Sequence, residues 1–193
     1  MSVRTAVAPL LVLAQLVTGR QSTTQSRVEE QVTMLFDRFR GPLFRYLSVF
    51  RLNPADTEEV IQEVFLALFR RLNGGAAVEN PAGWIFGAAH NLGLRQSIRI
   101  QRTREVEQQA DIGTVVDRAP NPEDVYAGSE VSRQIQCVVD SLPEMDRHCI
   151  LLRSEGLRYR EIAGVLNISL GAVALSLARS LARIARRAER CRR

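Results

Sequence analysis

Residues 159–187, YREIAGVLNISLGAVALSLARSLARIARR, leave this chain few ways to fold. The spacing predicts a helix from Arg158 to Leu166, with Ile162 and Leu166 one turn apart on one face. Ala163 is small and lets a second helix cross close by. Asn167 follows, one of the few non-glycine residues that enter a left-handed turn at little cost. Ile168 fills the corner, and Ser169 is placed to accept a backbone N–H and start the next helix. That helix carries Leu170, Val173, Leu177, Leu181 and Ile184 at three-and-four spacing, which predicts one buried stripe. Helix, tight turn, serine cap and helix form the helix-turn-helix pattern, whose second helix enters the DNA major groove. An αα-hairpin in a bundle satisfies the same spacing. The arginines at Arg179, Arg183, Arg186 and Arg187 decide for a DNA-facing helix.

Charge divides the rest of the chain. Residues 1–104 hold 13 Arg against 8 acids, residues 105–146 hold 2 Arg against 10, and residues 147–193 hold 11 against 3. Two basic blocks flanking an acidic middle suit two nucleic-acid-facing modules joined by a segment that stays off DNA. The length of 193 residues accommodates two small domains. Cys137, Cys149 and Cys191 have no paired spacing, and His90 and His148 complete no zinc-ligand pattern. Buried or idle thiols in a reducing, cytoplasmic setting are expected, with no metal and no cofactor.

Ala6 to Val17 is an apolar run behind Arg4, too short to span a bilayer, which takes about 20 residues. A polar QSTTQS stretch follows it, so residues 1–27 are expected to be a flexible extension rather than a signal peptide. From Glu29 to Phe50 the apolar residues Val32, Leu35, Phe36, Phe39, Leu43, Leu47 and Phe50 keep a helical spacing, with a break or kink expected at Gly41-Pro42. A second helix is expected from Asp56 to Leu72, capped by Asp56 with Glu59 in capping-box position, and burying Val60, Val64 and Leu68. A third is expected from Ala82 to Arg99, with Trp84, Ile85, Ala88, Leu92 and Ile98 turned inward. Arg95, Arg99, Arg102 and Arg104 crowd its end with no acid between Trp84 and Arg104. Residues 105–131 lose periodicity and read as a linker. A helix resumes near Ser129 through Val131, Ile135, Val138 and Val139. The next begins at Pro143 and carries Cys149, Ile150 and Leu152.

Two separated blocks resemble the extracytoplasmic-function (ECF) sigma factors of bacterial RNA polymerase. The first is Asp56-Thr57-Glu58-Glu59-Val60-Ile61-Gln62-Glu63-Val64-Phe65, followed by Trp84-Ile85 and His90-Asn91-Leu92. It is similar to the family's region two. The second is Leu142-Pro143-Glu144, Gly156-Leu157-Arg158-Tyr159-Arg160-Glu161-Ile162-Ala163 and Ile168-Ser169-Leu170-Gly171-Ala172-Val173. It is similar to region four. The resemblance covers about residues 30–187 in the family's order. It implies an all-α protein of two small helical domains joined by an acidic linker: region two over 28–104, the linker over 105–131, and a helix-turn-helix region four over 132–193.

The resemblance also implies partners. Asp56, Glu58, Glu59, Gln62 and Glu63 would face core RNA polymerase. Asn80, Asn91, Arg95, Arg99 and Arg102 would meet the −10 element of promoter DNA. Ser169, Ala172, Leu175, Ser176, Arg179 and Arg183 would meet the −35 element. An anti-sigma factor is an expected partner, membrane insertion is not, and the catalytic chemistry belongs to the polymerase. The chain departs from the family where it reads bases: Ala172-Val173-Ala174-Leu175-Ser176 replaces the usual Thr-Val-Lys-Ser-Arg, Asn167 replaces the turn glycine, and Arg95 replaces an Asp. Leu175 lies about 200° from Val173 around the helix, so it is expected to point outward, toward thymine methyls or a protein. A sigma-like interaction protein that occupies a regulator without reading DNA is the alternative function. An enzyme is not expected, because no nucleophile–base pair appears.

Overall fold

A computed structural model describes residues 23–110 and 137–191. Every regular element among the described residues is a helix. Expectations for residues 1–22, for most of the linker and for the helix start near Ser129 lie outside them. The chain divides into two compact units between Gln96 and Ser97.

The first helix, α1, runs from Thr23 to Leu47 and ends in a 3-10 turn over Ser48–Phe50. It starts inside the stretch expected to be an extension. The expected break at Gly41-Pro42 is absent, since Pro42 lies within the continuous helix. Proline ordinarily clashes with the preceding residue's Cβ in a helical conformation, and Gly41 has no Cβ. Arg51 closes the turn in the left-handed region at φ 54°.

Helix α2, Pro54–Asn73, opens two residues earlier than expected. Asn53 is its cap rather than Asp56: the Asn53 side chain accepts the Asp56 N–H at 2.7 Å. Pro54 occupies the first helical position, where its missing N–H loses nothing. Helix α3, Pro81–Ala110, is far longer than expected and continues past residue 105, where the linker was expected to begin. Its inward stripe is Ile85, Phe86, Ala89 and Gly93 rather than Trp84, Ala88 and Leu92, which are half-buried, while Ile98 is exposed.

Aromatic edges knit the N-terminal unit. Phe36 meets Phe65 of α2 edge-on with ring centroids 5.0 Å apart, and Phe39 and Tyr46 meet Phe86 of α3 at 6.1 and 5.6 Å. Tyr46 is fully buried. Its hydroxyl lies 2.9 Å from His90 Nδ1, so the polar tip that argues against burial is satisfied across the core. At Gly93 helix α3 lies close against Leu47 and Phe50. A Cβ placed there would stand 2.8 Å from Phe50 and 2.9 Å from Leu47.

The C-terminal unit packs α4 (Glu144–Ser154), α5 (Tyr159–Leu166) and α6 (Leu170–Cys191) on one another. Pro143 caps α4 from outside instead of starting it. Leu142, Leu152, Leu157, Ile162, Val165, Val173 and Leu177 form the core. Gly156, at φ +91°, makes the left-handed turn out of α4.

Candidate nucleic-acid and polymerase interfaces

The axes of α5 and α6 turn through 106° across Asn167-Ile168-Ser169, within the range of a helix-turn-helix. Local chemistry sets this corner. Glu161 reaches back to accept the Arg158 N–H and fixes the start of α5. Asn167 ends α5 in the left-handed region at φ 52° and ψ 45°. The Ser169 hydroxyl accepts the Ala172 N–H at 3.1 Å and opens α6.

The buried stripe of α6 is not the expected one. Val173 and Leu177 are buried, but Leu170 and Leu181 are 47% and 56% exposed. Their places are taken by two serines, Ser176 and Ser180, both buried. Ser180 donates to the Ser176 carbonyl at 2.9 Å, a local bond within the helix. Ser176 donates to Asp146 Oδ1 of α4 at 2.7 Å. Ser176 was expected on the DNA-reading face; it is turned inward and removed from that face, because a buried hydroxyl with a carboxylate partner costs little.

The outer face of α6 carries Ala172, Leu175, Arg179, Arg183 and Arg186, all exposed. Their spacing of three, four, four and three residues keeps them within about 80° of helix circumference. Leu175 is 57% exposed and stands opposite Val173. Arg179 belongs partly to the fold: its Nη2 donates to Asp146 Oδ1 at 2.8 Å, while the side chain stays 51% exposed. Burial pushes the Asp146 carboxyl upward, but the Arg179 and Ser176 hydrogen bonds and the charges of Arg179 and Arg183 outweigh it and hold the group below the usual carboxylate range. The Cys149 thiol beside them is pushed up, chiefly by burial. Two other arginines serve the fold directly. Arg147 donates to the Leu142 carbonyl at 3.2 Å and Arg153 to the Leu157 carbonyl at 3.0 Å.

A second basic stripe lies on α3. Asn91, Arg95, Arg99 and Arg102 are exposed at spacings of four, four and three, so they share the side opposite Phe86 and Ala89. The stripe extends for about 16 Å at the helical rise. Asn80 sits apart from it at the start of α3, where its Oδ1 accepts the Gly83 N–H at 3.1 Å. It therefore caps the helix. Gly83 permits this, since a Cβ there would stand 2.6 Å from the Asn80 amide nitrogen.

The acidic face of α2 is smaller than its sequence suggests. Glu59, Gln62 and Glu63 are exposed. Glu58 is half-buried and held by Arg40 of α1, whose Nε donates to it at 3.0 Å and whose Nη2 forms an ion pair with it. Asp56 is also half-buried and accepts from Gln96 at 3.2 Å. Both missed residues, Arg40 and Gln96, are far from α2 in sequence, and no local pattern marks them. The same holds for Asp146, which reads as an ordinary first-turn acid of α4. Among the described residues no His, Cys, Asp and Glu group has metal-site geometry, and no single helix is long and apolar enough to cross a membrane.

The sigma-70 region 4 family model matches residues 132–184. The ECF RNA polymerase sigma factor SigE of Mycolicibacterium smegmatis is 35% identical over 136 residues, which cover 66% of this chain and 51% of that protein. The chain thus spans about half the length of that relative. The ECF RNA polymerase sigma-E factor of Haemophilus influenzae is 26% identical over 175 residues, covering 80% of this chain and 89% of that one. Among solved structures, the sigma factor RpoE of Bartonella quintana, in complex with the anti-sigma factor NepR, superposes with a TM-score of 0.62 at 17% identity, over 83% of this chain and 98% of that chain. CnrH, in complex with the cytosolic domain of CnrY, gives 0.53 at 18% identity, over 84% and 92%. These two share the fold. The similarity to SigE and to sigma-E extends well beyond the helix-turn-helix, over most of the chain, so that together with the region 4 match the chain is similar to the ECF sigma factors.

Proposed function

We propose that the chain is a transcription initiation factor that binds core RNA polymerase and directs it to specific promoters. Glu59, Gln62 and Glu63 of α2 form the polymerase-facing patch, with Glu58 and Asp56 bracing it from below. The Asn91–Arg102 stripe of α3 meets the −10 element, and the outer face of α6 meets the −35 element. Asn80 contributes by fixing the start of α3. The observation that carries this reading is the outer face of α6, where an exposed arginine row follows a helix-turn-helix corner capped by Asn167 and Ser169. At its N-terminal end that face offers only Ala172, Leu175 and the Ser169 hydroxyl. Arg179, Arg183 and Arg186 therefore position the helix on phosphates, while Leu175 reads thymine methyls and DNA shape supplies the rest.

Such a factor acts where the polymerase is, in the cytoplasm. RpoE was solved with an anti-sigma factor, and we extend a partner of that class to this chain. The apolar end of the reading face also favours a second reading, in which α6 binds a regulator without reading DNA. Run-off transcription on genomic fragments separates the two. With purified chain and core polymerase, transcripts are expected from a limited set of starts that share upstream elements. Core binding without any selected start would refute the promoter reading and leave the second.

A further inference from the structure

The promoter reading treats Arg179 as a surface arginine. The structure ties it to the interior. Asp146 is 1% exposed, and one of its oxygens accepts from both Ser176 at 2.7 Å and Arg179 at 2.8 Å. A carboxylate buried under a helix is costly unless it is paired and hydrogen-bonded, and an apolar residue at this place would pack without that cost. The arrangement has a direction. Ser176, wholly inside, holds the carboxylate from one side, and the carboxylate in turn holds a guanidinium that stays half in solvent. A guanidinium has five N–H donors, and this bond engages only Nη2, so donors remain for a second acceptor. An unheld arginine gives up its rotamer freedom when it meets a phosphate; one already held gives up less.

We propose that Asp146 is a positioning residue for DNA contact: from inside the C-terminal unit it holds the Arg179 guanidinium on the outer face of α6, so that the remaining donors meet a backbone phosphate. The proposal rests on the reading of that face as duplex-facing. It makes a prediction opposite in sign to simple electrostatics. Removing a negative charge next to a basic face strengthens DNA binding if charge alone matters. Removing this one weakens it if Asp146 positions Arg179.

The test uses the full chain and a fluorescent mixed-sequence DNA duplex, with affinity measured across a salt series. Arg179→Ala is expected to lower the slope of log affinity against log salt by about one, the loss of a single phosphate contact. Asp146→Asn is expected to weaken binding by the same factor and lower the slope equally, and the double variant is expected to lose nothing more. Tighter binding by Asp146→Asn, or losses that add in the double variant, would overturn the proposal. If Asp146→Asn does not fold, Arg179→Lys decides. An ammonium engaged by Asp146 keeps its charge but has no planar fork to present, so it is expected to bind like Arg179→Ala; wild-type binding by the lysine variant overturns the positioning role. If Arg179→Ala itself binds duplex as tightly as wild type, the duplex-facing reading of α6 fails, which is a separate result.

Discussion

Gly93→Ala tests the packing that carries the α3 stripe. The same change in an exposed helix interior stabilises by up to about 1 kcal/mol, because alanine is the better helix former. At Gly93 the added methyl would stand 2.8 and 2.9 Å from Phe50 ring carbons and 2.9 Å from a Leu47 methyl. Ordinary carbon contacts lie at about 3.5–4.0 Å, so these neighbours must retreat by most of an ångström. They have little room to do so. Leu47 is fully buried, and Phe50 packs edge-on against Tyr46 and beside His90. Overpacking of this kind costs about 1–3 kcal/mol, and the rigid surroundings place it at the upper end. Subtracting the helix-propensity gain leaves a net loss of about 2 kcal/mol, or a fall in melting temperature of roughly 8–16 °C for a unit this size. Trp84 is the only tryptophan and lies in the N-terminal unit, so its fluorescence follows that unit's melting selectively. Gly164→Ala in α5 is the matched control, since a Cβ there meets nothing within 4 Å. It is expected to leave the Trp84 transition alone. A Gly93→Ala transition at or above the wild-type temperature would refute the reasoning and mean that α3 is not seated on Phe50 and Leu47 as described.

Reversing Glu59 and Glu63 together to Arg should weaken core-polymerase binding at least tenfold in a pull-down or titration while the Trp84 melt stays put, because neither makes the Arg40 contact that Glu58 makes; unaffected binding would remove this patch from the interface. Asn167→Ala should destabilise the C-terminal unit by about 1 kcal/mol, and Asn167→Gly should not, since the position is left-handed; equal urea midpoints for the two would contradict this. Against the upward push of burial, the Arg179 and Ser176 hydrogen bonds hold the folded pKa of Asp146 below the ordinary carboxylate value of about 4, so its contribution to stability is present above about pH 4 and is lost as pH falls through the folded value. The stability gap between wild type and Asp146→Asn should therefore be widest near neutral pH and narrow in acid, and a gap that is constant with pH would count against the buried ion pair.

Sequence alone determined what depends on neighbours along the chain. The 106° corner of α5 and α6 was legible because Asn167 tolerates the left-handed region and Ser169 caps within three residues. The stripe of Val60, Val64 and Leu68 was legible because apolar periodicity is a property of one helix. Tertiary structure decided what depends on a partner far away in sequence. Tyr46 can be buried because His90 meets its hydroxyl, and Glu58 leaves the acidic face because Arg40 crosses from α1. Ser176 turns inward because Asp146, thirty residues earlier, accepts its hydrogen bond. Polarity along one helix cannot foretell these, since a buried polar group needs a partner and here another element supplies it. The outer face of α6 follows from the same rule: pairing Ser176 inside and tethering Arg179 at the edge leaves Ala172, Leu175 and the arginine row to face whatever the helix binds.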